Sequence, residues 1–354
     1  MHIRKIAFFR PNAVGDFVFA LPALHALRRA FPEAEIVYLG RPWHAEFLKG
    51  RPGPVDRVVV VPPVAGLTAA SAKDENALAV EDFVRTMRME AFDLAIQAYG
   101  GGRFSNPFVK RLGARQTIGL CAEDGEPLDR CLRLRDLQHR RLQLLELVAL
   151  VGADVWEMGL ELQCAARDHE EADRVLPATP GERLVLLQPG ATDPRRRWPP
   201  GRFAAVADQL AEEGMMVAIH GTEAEGPIVQ AVLRDMQHAA IDLSGRVSLS
   251  GLCGLLARAH LLVSNDTGPL HLACALDTPA VGIYWLSNLV ESAPLRQERH
   301  QAFMSTRVLC PVCQVQNLTQ RCEHDVSFVD DVPVEDVLRG ARDLLQRCHG
   351  AAVA

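Results

Sequence analysis

The feature that most constrains the fold is an alternation of short apolar runs with amphipathic runs, which proceeds, breaks off and starts again. Ile6–Phe9, Glu35–Leu39, Val58–Val61 and Phe92–Ala98 read as buried strands. Between the first two, Asp16–Ala30 reads as a helix. Phe17, Ala20, Leu21, Leu24 and Leu27 recur at helical spacing, Arg28 and Arg29 suit its negative end, and Pro32 stops it. Residues 74–90 and Leu142–Val151 read as further helices. A polar stretch ending in Pro177, Pro180 and Gly181 interrupts the pattern. Strands then follow at Leu184–Gln188, Met216–His220, Leu261–Asn265 and Ala280–Trp285, with helices at Gly201–Glu213, Glu225–Met236 and Gly268–Leu276. Strand–helix alternation with short links predicts a parallel sheet covered on both faces, here twice over. No short-period repeat suggests a solenoid.

The expected organisation is a first domain at 1–165, a linker at 166–182, a second domain at 183–332, and a C-terminal helix within 333–354. Val334, Val337, Leu338, Ala341, Leu344 and Leu345 share one face of that helix. Ligands of such sheets bind at the carboxyl ends of strands near helix N-termini, and the cleft between two domains is the default site.

Composition excludes several classes. The net charge of -6 gives no general basic coat, so nucleic acid is not an expected partner. No apolar run reaches the ~18 residues of a membrane span, and the apolar part of the N-terminus is too short for a signal peptide. Nine cysteines, an odd number, sit mostly inside apolar segments. That usage points to reduced thiols in a cytoplasmic protein, with one local exception near 310–324. The basic stretch Arg130–Arg141 is either a solvated surface or a contact for an anionic lipid or phosphorylated saccharide.

Four segments carry chemistry. Gly15-Asp16 follows the first strand, so Asp16 sits at a helix start, as a cap or as a base facing a cleft. Gln188–Pro199 holds Gly190, Thr192 and three successive arginines, Arg195, Arg196 and Arg197, at a strand's carboxyl end, as a solvated charge run or as a site for an anion. His220–Glu225 places Glu223 and Glu225 at another strand-to-helix turn, as caps or as acceptors for ribose hydroxyls. Ser264–Ala273 places Asp266, Thr267 and Gly268 before an apolar helix whose free N–H groups form an anion cradle, with His271 one turn on. No G-x-G-x-x-G dinucleotide fingerprint occurs.

Taken in order, these segments resemble glycosyltransferase family 9, the ADP-heptose–lipopolysaccharide heptosyltransferases. The matching pieces are Gly15-Asp16 with Leu21-Pro22-Ala23-Leu24, Arg28–Pro32, Arg197–Phe203, Gly221-x3-Glu225 and Asp266–Leu276. The resemblance implies a GT-B fold of two Rossmann-like domains and an inverting, metal-independent transfer of a sugar, heptose from ADP-heptose in the best-known members. It makes Asp16 the general base and puts Thr192 and Arg196 on the donor diphosphate. Glu225 falls on the ribose, and Asp266, Thr267, Gly268 and His271 on the donor's sugar and phosphates. It also implies a lipid-linked saccharide acceptor at the inner membrane face, and a C-terminal helix that packs back on the first domain. The alternatives are a GT-B nucleotide-sugar epimerase or hydrolase, and a non-catalytic nucleotide-sugar-binding protein.

Cys310-x2-Cys313-x8-Cys322-x-His324 gathers four soft or borderline ligands in one short segment. Reduced structural thiols, a structural zinc or iron, and a disulfide are all compatible with that spacing.

Overall fold

A computed structural model describes residues 2–68, 71–154 and 161–351; the last three residues of the expected segment 333–354 lie outside it. The chain forms two compact units, Met1–Gln163 and Cys164–Ala354.

The first unit runs β1 (Lys5–Phe9), α1 (Val14–Ala30), β2 (Glu35–Gly40), α2 (Pro42–Leu48), β3 (Arg57–Val60), α3 (Ala77–Met89), β4 (Leu94–Gln97), α4 (Ser105–Arg111), β5 (Gln116–Cys121), β6 (Arg130–Arg133) and α5 (Arg140–Ala149). Its six strands lie in the order β3-β2-β1-β4-β5-β6, and every pairing is parallel. Burial of both faces explains the near-continuous apolar strands. Phe9, Val37, Leu39, Ala95, Phe92 and Phe108 belong to one core on this sheet.

The second unit runs α6 (Ala166–Val175), β7 (Leu184–Gln188), α7 (Pro200–Glu212), β8 (Met216–Ile219), α8 (Gly226–Asp235), β9 (Ile241–Asp242), α9 (Leu249–Arg258), β10 (Leu261–Asn265), α10 (Gly268–Ala275), β11 (Ala280–Trp285), α11 (Leu286–Ser292), β12 (His300–Ser305) and α12 (Val334–Ala351). Its strand order is β12-β11-β10-β7-β8-β9, again all parallel. Counted from each unit's first strand, both sheets follow the doubly wound order 3-2-1-4-5-6. The order reverses beside β1/β4 and beside β7/β10, and those carboxyl ends are where the topology opens a ligand crevice.

Three expectations change. The polar stretch 166–182 is not simply a linker, because α6 packs on α9 through glycines. A Cβ on Gly254 would lie 2.1 Å from the Asp168 carbonyl oxygen, so only glycine admits that approach. The apolar face of α12 is taken up in its own unit: Val337, Leu338, Ala341, Leu344 and Leu345 share a core with Val185, Val263 and Val281 of the second sheet. The basic stretch Arg130–Arg141 divides, since Arg130–Arg133 is β6 and Arg141 is buried, 3.2 Å from Glu161.

The cysteine expectation changes too. Cys121 and Cys131 form a disulfide, because parallel pairing of β5 with β6 brings their Cα atoms to 5.7 Å.

Candidate donor and base sites

The second sheet's switch point is assembled by Asn265, the last residue of β10. Its amide donates to the Pro189 carbonyl at 2.8 Å, and its Oδ1 accepts from the Trp198 N–H at 3.0 Å. Both ends of the loop after β7 are thereby tied to β10. Trp198 anchors the loop further: its indole is fully buried, and its Nε1 donates to the Val332 carbonyl at 3.0 Å. An indole buried with its N–H satisfied fixes the register of the three arginines before it.

That register gives each arginine a different partner. Arg195 donates to Asp193 at 2.6 Å and to Asn317 at 3.2 Å, with its guanidinium 5.4 Å from the Trp285 ring. Arg197 donates to the Ala191 carbonyl at 2.8 Å. Arg196 alone turns toward β10, where its Nη1 lies 3.2 Å from Asp266 Oδ2.

Asp266 is buried, and its other oxygen, Oδ1, lies 3.1 Å from His271 Nε2 and accepts from Ser292 Oγ at 3.1 Å. Burial by itself raises the pKa of this carboxyl. The hydrogen bond to His271, the charges of His271 and Arg196, and the Ser292 hydroxyl outweigh it and hold the group below the usual carboxylate range. Asp266 is therefore a fixed anion that orients a guanidinium and an imidazole. Thr267 is the N-cap residue of α10, yet its hydroxyl makes no capping bond; Oγ1 is buried without a hydrogen-bond partner. Gly268 opens the helix and Pro269 follows it, so the first-turn N–H groups point out of the strand end. A guanidinium, a helix N-terminus and an unpaired hydroxyl together suit a phosphate.

Glu225 lies beside the same loop. Its Oε2 accepts from the Thr222 N–H at 2.9 Å and from the Thr222 hydroxyl at 3.0 Å. Its Oε1 is so close to Gly190 that a Cβ there would lie 2.0 Å away. Glu223 is exposed, so Glu225 is the glutamate facing the β7 loop. Behind them His220 Nδ1 lies 2.5 Å from Gln188 Oε1, and burial pulls this imidazole down to about 4. Thr192 is exposed.

The first sheet's switch point holds Asp16. The helix begins at Val14 with Ala13 as N-cap, so Asp16 sits inside the first turn rather than capping it. Its Oδ1 lies 3.0 Å from Arg10 Nη2, while Arg10 Nε donates to the Asp16 carbonyl at 2.8 Å. Arg10 also donates through Nη1 to the carbonyl of Ala98, just past β4, and is itself buried. Burial lowers its pKa, and Asp16 opposes that shift. Sequence reasoning did not single out Arg10; its signal was a lone charge directly after an apolar strand. Asp16 remains about a quarter exposed, which leaves an oxygen for a ligand.

Cys310, Cys313, Cys322 and His324 place their ligand atoms within 4.8 Å of one another. Hydrogen bonds from Asn317 foremost, and from the His324 backbone, bring the Cys322 thiol down to about 6.

The family model for glycosyltransferase family 9 (heptosyltransferase) matches residues 80–319. A lipooligosaccharide heptosyltransferase 2 of Haemophilus ducreyi is 24% identical over 318 residues, covering 83% of this chain and 87% of that protein. A lipooligosaccharide heptosyltransferase 2 of Haemophilus influenzae is 31% identical over 121 residues; that match covers 32% of this chain and about a third of the relative, 35%. Among solved structures, a glycosyl transferase family 9 protein from Veillonella parvula superposes with a TM-score of 0.83 at 21% identity, covering 98% of both chains. The E. coli heptosyltransferase WaaC with ADP superposes with a TM-score of 0.65 at 20% identity, covering 85% of this chain and 93% of that one. These likenesses bear out the expected GT-B class of two Rossmann-like α/β units. With the family model matching more than half of its length, this chain belongs to glycosyltransferase family 9.

Proposed function

We propose that the chain is an inverting glycosyltransferase that moves heptose from ADP-heptose onto a lipopolysaccharide-type saccharide. The observation that carries this is the Arg196–Asp266–His271 group beside the N-terminus of α10, at the switch point of the second sheet. A leaving diphosphate needs its charge met, and a guanidinium with a helix N-terminus meets it. Arg196, Thr267 and Gly268 take the diphosphate in this reading, with Asp266 holding Arg196 and His271 in place. Glu225 takes the ribose. Thr192, exposed on the same loop, adds a hydroxyl to the diphosphate in this reading.

Asp16 acts on the acceptor. Its carboxylate takes the proton of the attacking hydroxyl as the new bond to the anomeric carbon forms and the bond to the diphosphate oxygen breaks. An aspartate is a weak base, so its contribution is position, and Arg10 holds that position. The heptosyltransferase names of the relatives and the ADP held by the E. coli neighbour support the donor class. In this reading the acceptor is a lipid-linked saccharide met at the cytoplasmic membrane face, and the lipooligosaccharide and lipopolysaccharide in the relatives' names support the saccharide class. No described helix is long and apolar enough to cross a membrane.

The test is ADP release from ADP-heptose, with and without a lipopolysaccharide acceptor lacking its heptose, by wild type and Asp16→Asn. Acceptor-dependent release lost in the variant is expected. Release without acceptor, indifferent to Asp16→Asn, would instead mark a hydrolase or epimerase, and binding without turnover a nucleotide-sugar-binding protein.

A further inference from the structure

The chain between β12 and α12 contains a knuckle of unusual shape. Cys310 N–H donates to the Val315 carbonyl at 2.9 Å, and Gln314 N–H donates to the Cys310 carbonyl at 2.9 Å. Leu309 and Gln316 form an antiparallel bridge across it. Gln314 takes a φ of 59°, which a non-glycine residue adopts only when its surroundings hold it there. This turn presents Cys310 and Cys313 from one end. The chain then doubles back through Asn317, whose Oδ1 accepts from the Cys322 N–H at 3.3 Å and whose Nδ2 donates to Cys322 Sγ at 3.4 Å. Cys310 is buried, and Nδ1 of His324 is buried without a hydrogen-bond partner. All three cysteines are free, although the fold closes another pair, Cys121 and Cys131, as a disulfide.

We propose that Cys310, Cys313, Cys322 and His324 form a structural site for a thiophilic divalent transition metal, zinc or ferrous iron, and that the metal holds the arginine loop in place. Three sulfurs and one imidazole are a complete tetrahedral set for either ion. With metal–sulfur bonds of about 2.3 Å, tetrahedral sulfurs stand about 3.8 Å apart. The observed upper limit of 4.8 Å is about 1 Å above that spacing. Binding exchanges the thiol protons for the metal: three S–H bonds give three metal–sulfur bonds and release three protons, while the neutral imidazole adds its lone pair. Asn317 is the partner that orients Cys322, as hydrogen bonds around metal ligands do.

The same segment holds the arginine loop. Asn317 Oδ1 accepts from Arg195 at 3.2 Å, the Phe328 N–H donates to the Arg195 carbonyl at 2.7 Å, and Ser327 Oγ donates to the Arg197 carbonyl at 2.6 Å. Bonds from the knuckle segment thus grip the residues on both sides of Arg196. The metal touches no substrate; it is a staple behind the donor site, and this second half of the inference rests on the donor reading above.

The full-length protein, purified without chelator or metal-affinity resin after growth in medium supplemented with zinc or iron, is assayed for metal by elemental analysis. One equivalent of zinc or iron per chain is expected; iron would also show thiolate charge-transfer absorption. Cys313→Ser and His324→Ala are expected to lose the metal and to melt at lower temperature. His324→Cys, which restores four ligands, is expected to keep both. Protein stripped with chelator and reductant is expected to recover its melting temperature with the metal salt alone. Metal-free wild type whose melting is indifferent to zinc and iron, or a disulfide within the segment by mass spectrometry, overturns the site. The stripped protein is expected to bind ADP about tenfold more weakly than the loaded protein; equal affinity overturns the staple. Loaded wild type that does not bind ADP overturns the donor reading and leaves the metal site standing on its metal content.

Discussion

Oδ2 of Asp266 lies 3.2 Å from Nη1 of Arg196, two residues 70 positions apart that meet where the second sheet's strand order reverses. The contact depends on Asn265 tying both ends of the β7 loop and on Trp198 anchoring it in the core. It also separates three adjacent arginines by role, which composition alone cannot do.

Arg196→Ala is expected to weaken ADP binding by about 10- to 100-fold, the value of one hydrogen bond to a charged group at about 1.5–3 kcal/mol. Arg197→Ala, which loses a bond to the Ala191 carbonyl, is expected to change ADP affinity little. Arg196→Lys keeps the charge without the fork and is expected to fall between wild type and Arg196→Ala. Isothermal titration with ADP checks all three. Equal losses at Arg196 and Arg197 would mean a diffuse basic loop rather than one directed guanidinium.

The approach of Glu225 to Gly190 gives a steric test. A Cβ at position 190 would stand 2.0 Å from Glu225 Oε1, so the glutamate must move. Gly190→Ala is expected to cost about 1–3 kcal/mol of stability, as overpacking does. It is also expected to weaken binding of adenosine nucleotides. In Gly190→Ala/Glu225→Ala the clash is gone, so stability is expected to recover to that of Glu225→Ala alone, which lacks the two Thr222 bonds, while binding does not recover. Melting curves read the first effect and ADP titration the second. Recovery of both in the double variant would remove Glu225 from the ribose. Glu223→Gln is the control, since Glu223 is exposed.

Arg10 is a positioning residue for Asp16 in the proposed reaction. Arg10→Lys keeps a cation but cannot hold Asp16 Oδ1, the Asp16 carbonyl and the Ala98 carbonyl together. It is expected to lower kcat by about tenfold or more with donor KM unchanged, because its effect reaches the base and not the diphosphate. Asp16→Asn is expected to lower kcat by about 10²–10⁴-fold. The double variant should be no worse than Asp16→Asn. If the two losses multiply instead, Arg10 acts on something other than Asp16.

Much of this was legible in the sequence, and the failures have physical causes. Strands with both faces buried announce themselves as apolar runs, so β1, β2, β4, β7, β10 and β11 were readable within a few residues. The edge strand β6, Arg130–Arg133, has a partner on one side and largely exposed side chains, and so reads in the sequence as part of a basic surface stretch rather than as a strand. Helix α6 looked like a linker because its buried surface is small and its close packing is provided by Gly254 and Gly251 of α9. Those glycines in turn obscured α9. At the site, strand-end placement points to Asp266 and to the three arginines together, and only the family resemblance singles out Arg196 among them. The roles of Arg10, Asn265 and Trp198 were not visible, because each acts on residues brought close by tertiary packing. Thr192 shows the converse: a hydroxyl in the right segment that stands exposed.

His220 tests the buried floor of the second site through pH. Burial brings its pKa to about 4, with Glu225 opposing, while an unfolded histidine titrates near 6.5. Above about pH 6.5 both states are neutral there, and His220 adds no pH dependence. Between about 6.5 and 4 the unfolded chain binds the proton and the folded one does not, so stability falls as pH falls. Below the folded pKa both states are protonated and the loss levels off. The full loss is about 3 kcal/mol, from the difference between the two pKa values. In His220→Asn, which keeps a donor toward Gln188 and cannot titrate, that part of the acid sensitivity is expected to disappear. Urea unfolding of both proteins at several pH values between about 7.5 and 4 checks it. The wild-type curve should bend downward below about pH 6.5 and the variant's should stay flatter. Parallel curves would show that the imidazole is solvated and that the Gln188–His220 pair does not form a dry base for the donor loop.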